Sequence, residues 1–96
     1  MSERELYQKK KRAQLDEWRA DVQKFKAKVS GASADAQLDL NKRIQMLELK
    51  IEESQLSLSQ LAAASENGWK SIKDGVESAW DSMKSAVSDT AAKFKG

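Results

Sequence analysis

Residues 15–29 read Leu-Asp-Glu-Trp-Arg-Ala-Asp-Val-Gln-Lys-Phe-Lys-Ala-Lys-Val, and the apolar positions in that stretch decide the fold. Leu15, Trp18, Val22, Phe25 and Val29 step by 3, 4, 3 and 4, which lays a single stripe along an α-helix at the coiled-coil period. A second run, Leu40, Ile44, Leu47, Ile51, Ser54, Leu58 and Leu61, steps by 4, 3, 4, 3, 4 and 3. Between the two lies Ser30-Gly31-Ala32-Ser33-Ala34-Asp35. Gly31 is suited to close one helix in a left-handed cap, and the Ser33 hydroxyl to accept amide hydrogens at the start of the next. These signals predict helices over about residues 2–30 and 34–66, joined by a tight turn near residues 31–35.

The register favours an antiparallel hairpin. If the chain folds back at the turn, Val29 meets Leu40, Phe25 meets Ile44, Val22 meets Leu47 and Trp18 meets Ile51, each pair of residue numbers summing to 69. The next layers, Leu15 with Ser54, Lys11 with Leu58 and Gln8 with Leu61, are mixed, so the end away from the turn is expected to be looser. Charge agrees with this pairing. Residues 1–30 carry nine basic and five acidic groups, residues 31–68 three basic and six acidic, and neighbouring helices of opposite sign attract modestly.

A third segment follows Asn67-Gly68, a pair that commonly marks a turn. From Trp69 the chain nearly repeats itself after eleven residues, Trp69-Lys70-Ser71-Ile72-Lys73-Asp74-Gly75-Val76 aligning with Trp80-Asp81-Ser82-Met83-Lys84-Ser85-Ala86-Val87. An eleven-residue period keeps Trp69, Ile72, Val76, Trp80, Met83, Val87 and Phe94 on one face of a nearly straight helix. The expected architecture is therefore all-α: an antiparallel coiled-coil hairpin over residues 1–66 and an amphipathic C-terminal helix over residues 67–96. Running helices 2 and 3 together as one rod is an alternative, because one glycine costs a helix interior only about 1 kcal/mol.

Composition narrows the chemistry. The 96 residues include 17 Lys+Arg, 15 Asp+Glu and no His, Cys or Pro. Without imidazole or thiolate there is no base to activate a serine and no Cys/His zinc site, and the four glycines are isolated rather than gathered into a phosphate loop. No catalytic residue, cofactor or metal is expected. The longest charge-free stretch, residues 54–65, is twelve residues long, short of the about 20 needed to cross a membrane. The first residues lack the apolar segment of a signal peptide. A cytoplasmic protein, with membrane association through its surface as the variant, is the default expectation.

What remains is association. The stripe of helix 3 can face a partner helix, a membrane surface or its own chain, and a return onto helix 2 pairs Ile72 with Ala63, Trp80 with Leu56 and Val87 with Leu49. That return would cover a second apolar line on helix 2, Met46, Leu49, Leu56 and Ala63. Helix 1 has its own second line, Leu6, Ala13, Ala20 and Ala27, spaced by seven, which would allow a close helix–helix contact. The cationic run Lys9-Lys10-Lys11-Arg12 wraps around the whole helix, has no interleaved aromatics and sits in a chain of net charge +2. It reads as a solvated surface facing Glu52 and Glu53 rather than a nucleic-acid site. The polar face of helix 3 lacks the basic excess typical of interfacial helices, with five basic and four acidic groups in residues 69–96.

The opening Ser-Glu-Arg, the stretch Lys11-Arg12-Ala13-Gln14-Leu15-Asp16-Glu17-Trp18, the Ala/Asp-rich turn and the terminal Trp repeat together resemble small, uncharacterised bacterial coiled-coil proteins. The eleven-residue repeat of helix 3 also resembles those of exchangeable apolipoproteins and synucleins, which implies a lipid surface as the alternative partner. The leading expectation is a non-enzymatic module that self-associates, or binds another helical protein, through exposed apolar helix faces. A peripheral membrane protein using helix 3 is the alternative.

Overall fold

Each helix begins where a serine hydroxyl caps it. In the computed structural model, which describes residues 2–95, α1 spans Glu3–Val29, α2 spans Ala34–Ala63 and α3 spans Gly68–Lys95. Ser2 Oγ accepts the Glu5 amide at 3.1 Å, and Ser33 Oγ accepts that of Ala36 at 3.3 Å. Glu3 and Glu5 in the first turn of α1, and Lys26 and Lys28 in its last, have the signs that the helix dipole favours. No glycine among the described residues has a positive φ, so Gly31 is not the left-handed cap expected of it. The turn is right-handed instead, closed by the Gly31 and Ala32 amides donating to the Lys28 and Val29 carbonyls at 3.1 and 3.0 Å.

The second break lies earlier than Asn67-Gly68. At Ala64 the backbone is extended, with φ −71° and ψ 155°, so α2 stops short of residue 66. Ser65 then receives the next helix: its carbonyl accepts from Gly68 and Trp69 at 3.1 and 3.0 Å, and its Oγ accepts from Gly68 at 3.1 Å. Gly68 thus belongs to α3, and the helices do not run on as a single rod. The last turn of α2 holds no basic residue of its own. Arg4 of α1 supplies one, donating to the carbonyls of Ala62, at 2.8 Å, and Ala64.

The molecule measures 51 × 20 × 17 Å. α1 and α2 form the hairpin, and α3 folds back antiparallel to α2 and lies parallel to α1; α2 packs on both neighbours, whereas α1 and α3 make little contact. The seam residues Leu15, Trp18, Val22, Phe25, Val29, Leu40, Ile44, Leu47, Ile51, Leu58 and Leu61 share one buried cluster with Trp69, Val76, Trp80, Met83 and Val87 of α3. Across the α1–α3 gap, aromatic rings make the reach. Trp18 and Trp80 lie 5.9 Å apart between centroids, tilted by 50°, and Phe25 stacks on Phe94 at 5.3 Å and 11°. Lys26 of α1 and Glu48 of α2 pair at 3.0 Å, in keeping with the opposite charges of the two helices.

The docking side of α3 departs from the sequence expectation. It docks in the groove over the hairpin seam, with Lys50 Nζ 3.4 Å from Ser82 Oγ, and leaves Leu56 and Leu49 exposed rather than under Trp80 and Val87. The reason is burial. The groove presents apolar side chains from two helices at once, whereas the second line of α2 offers one helix face. This placement also fills the mixed end of the hairpin, where Trp69, Val76 and Trp80 join Leu58 and Leu61 in one buried cluster and the Lys11 ammonium lies 5.6 Å from the Trp80 ring centroid.

Candidate functional site

With the seam and the stripe of α3 committed to the core, the apolar side chains still facing solvent are the candidates for function. At 3.6 residues per turn, Leu38, Leu49 and Leu56 fall within about 20° of one another on α2 and point away from the core residues. Each is 60–65% exposed. Met46, also 60% exposed, is displaced toward α3 and edges a shallow groove with Arg43, Leu47, Lys50, Ala86, Asp89 and Thr90. Ala63 extends the line at its end and is exposed. On α1, Leu6 is half exposed, and Ala13, Ala20 and Ala27 lie open on its outer side.

The stripe read as facing a partner or a membrane is not available in this structure. Trp69, Val76, Trp80, Met83 and Val87 are buried, and Ile72 and Phe94 are half-buried against the same core. Their partner is the chain's own hairpin, because an apolar groove lies within reach of a four-residue connection. Thr90 belongs to this buried face although its polarity hid it; its hydroxyl donates to the Ala86 carbonyl at 2.9 Å.

The cationic run divides. Lys9, Lys10 and Arg12 are exposed, but Lys11 is only 6% exposed and faces Glu77 of α3 rather than Glu52 and Glu53. Its ammonium lies 3.4 Å from Glu77 Oε1, 5.3 Å from the Tyr7 ring centroid and 5.6 Å from that of Trp80. Tyr7 donates its hydroxyl to Glu77 Oε1 at 2.6 Å. That hydrogen bond, followed by the Lys11 charge acting against partial burial, holds the Glu77 carboxyl below its ordinary value. Burial, then the same bond, pushes the Tyr7 phenol well up. This cluster ties α1 to α3 and is filled by its own members.

Among the described residues, a depression of 520 Å³ is lined by Glu5, Gln8, Lys9, Arg12, Ala13 and Asp16 of α1 alone, and a single helix cannot surround a small molecule. Among the described residues no group of three or more carboxylates is gathered as a metal ion would need, and no helix is long and apolar enough to cross a membrane.

No family model, curated protein or solved structure matches the chain. What it can do is therefore read from its own surface. That surface combines a small three-helix body with exposed apolar residues of the kind that meet a partner. Sequence reasoning missed Leu38, which stands eleven residues from Leu49 and looks isolated until the helix is built. The missing signal was angular: residues 38, 49 and 56 return to nearly one direction after whole turns.

Proposed function

We propose that this protein is a non-enzymatic assembly module whose copies associate through the outer face of α2, with α3 acting as an internal third helix that stiffens the hairpin. The observation that carries this is the line Leu38, Leu49 and Leu56, each 60–65% exposed and opposite the core. Single exposed leucines are ordinary on protein surfaces, but these three share one helix face, and each gains up to about 1.5–3 kcal/mol when fully covered. The depression on α1 alone and the self-satisfied Lys11–Glu77–Tyr7 cluster offer no competing site.

Sedimentation equilibrium and light scattering from about 1 to 500 µM, a range bracketing reversible association, test this. The wild type is expected to pass from monomer to a defined oligomer. The double variant Leu49→Lys, Leu56→Lys, in which two open positions become charged, is expected to stay monomeric with unchanged helical circular dichroism. A wild type that remains monomeric throughout refutes self-association.

A further inference from the structure

We infer that the partner on this face is a second copy of the chain, packed α2 against α2 antiparallel about a twofold axis in one particular register. This rests on the self-association proposed above and specifies its geometry. Between Leu38 and Leu56 the outer line of α2 runs Leu38, Lys42, Gln45, Leu49, Glu52 and Leu56, all exposed and spaced by 4, 3, 4, 3 and 4. A twofold contact between identical helices requires that a line map onto itself when reversed. This one does: when residue numbers across the axis sum to 94, every member lands on another member. Leu38 then meets the partner's Leu56 at both ends, Leu49 meets the partner's Gln45 beside the axis, and Lys42 meets the partner's Glu52 twice.

The charges select this register. Lys42 and Glu52 are the two charged residues on the line, and among the described residues neither takes part in an ion pair within its own chain. Two flanking carboxylates are already held, Asp39 by Arg43 at 3.0 Å and Glu48 by Lys26 at 3.0 Å. A parallel in-register pair would set Lys42 on the partner's Lys42 and Glu52 on the partner's Glu52. Sliding the antiparallel pair by one heptad one way sets Asp35 against the partner's Glu52. Sliding it the other way sets Glu52 on the partner's Leu49. Only the register summing to 94 joins leucine to leucine and cation to carboxylate together.

The line is about 27 Å long at 1.5 Å per residue, so the contact falls short of the about 800 Å² per partner of a standard interface. The dimer is accordingly reversible, and its dissociation constant is read in the micromolar range. Lys42→Glu and Glu52→Lys are each expected to weaken dimerisation by about tenfold, since each sets two like-charged pairs across the axis. An equimolar mixture of the two variants is expected to recover wild-type affinity, because the heterodimer restores both opposite-sign contacts. As an independent readout, the chain has no cysteine. Leu38→Cys and Leu56→Cys proteins should form a disulfide dimer when mixed and not alone, since residue 38 and its own copy lie about 27 Å apart in this register. A dimer that ignores the charge variants, or a Leu38→Cys protein that cross-links to itself, overturns this geometry while leaving self-association standing. A monomeric wild type overturns both.

Discussion

Lys11 is the one charged side chain among the described residues that is buried, at 6% exposure, and its replacement separates what its stem contributes from what its charge contributes. Lys11→Ala removes three buried methylenes, at about 0.8 kcal/mol each, and leaves a gap beside Tyr7 and Trp80, whose rings the ammonium faces at 5.3 and 5.6 Å. The expected loss is about 2–3 kcal/mol, from a total stability that for 96 residues is about 5–14 kcal/mol. Lys11→Met keeps most of the stem. It forfeits an ion pair to a carboxylate whose side chain is 46% exposed, worth about 0–1 kcal/mol, and two ring contacts of about 0.5–1 kcal/mol each. It also removes the desolvation cost of a buried ammonium, so the net change is expected to stay within about 1 kcal/mol. Urea unfolding followed by tryptophan fluorescence reads both variants, and the alanine variant should melt about 10–20 °C below wild type. A methionine variant as unstable as the alanine variant would show that the charge, and not the packed stem, holds α1 against α3.

The Tyr7–Glu77 hydrogen bond predicts losses at both ends of the pH scale. Glu77 is held below its ordinary value in the fold, so its contribution is present above the usual carboxylate range and disappears as pH falls through the lowered folded value. Tyr7 is raised, so its contribution is complete below the usual phenol value of about 10 and is lost as pH climbs beyond it. Melting temperatures of wild type and Tyr7→Phe should therefore differ at neutral pH and converge in both acid and alkali. Gly75 lies exposed in the interior of α3, where an added Cβ meets nothing within 4 Å. Gly75→Ala should therefore stabilise the protein by about 0.5–1 kcal/mol, raising the melting temperature by about 2–8 °C; a fall would mean that α3 is not helical there.

The hairpin was legible because each of its helices buries a narrow stripe, and Leu15–Val29 and Leu40–Ile51 carry that stripe at one period. The Ser33 cap was legible because a hydroxyl before a helical run has a single backbone task. The docking side of α3 was not. Its stripe states that Trp69, Val76 and Trp80 must be covered, but the line Met46, Leu49 and Leu56 looked as apolar as the groove over the seam. Only three-dimensional packing distinguishes a face offered by one helix from a groove offered by two, in which Trp80 reaches Trp18 and Phe94 reaches Phe25. Lys11 was illegible for a related reason: what makes its burial tolerable, Glu77 with the rings of Tyr7 and Trp80, comes from a turn below it on α1 and from α3.

The same packing weighs against α3 as a lipid-facing helix. For α3 to lie on a membrane it must leave the hairpin and uncover Trp69, Val76, Trp80, Met83 and Val87, all buried now. At about 1.5–3 kcal/mol per side chain the burial forfeited is about 8–15 kcal/mol, before the conformational entropy that the released helix regains is subtracted. Detachment of α3 is accordingly expected to be rare while the hairpin stays folded, with both tryptophans of α3 shielded in the native state. The expected result is that anionic vesicles leave tryptophan emission and acrylamide quenching unchanged below the melting transition. Vesicle binding would begin only where helical circular dichroism is already being lost. A shift in emission with vesicles while the fold is intact would mean that α3 releases cheaply, and would move the working surface from the outer line of α2 to the tryptophan face of α3.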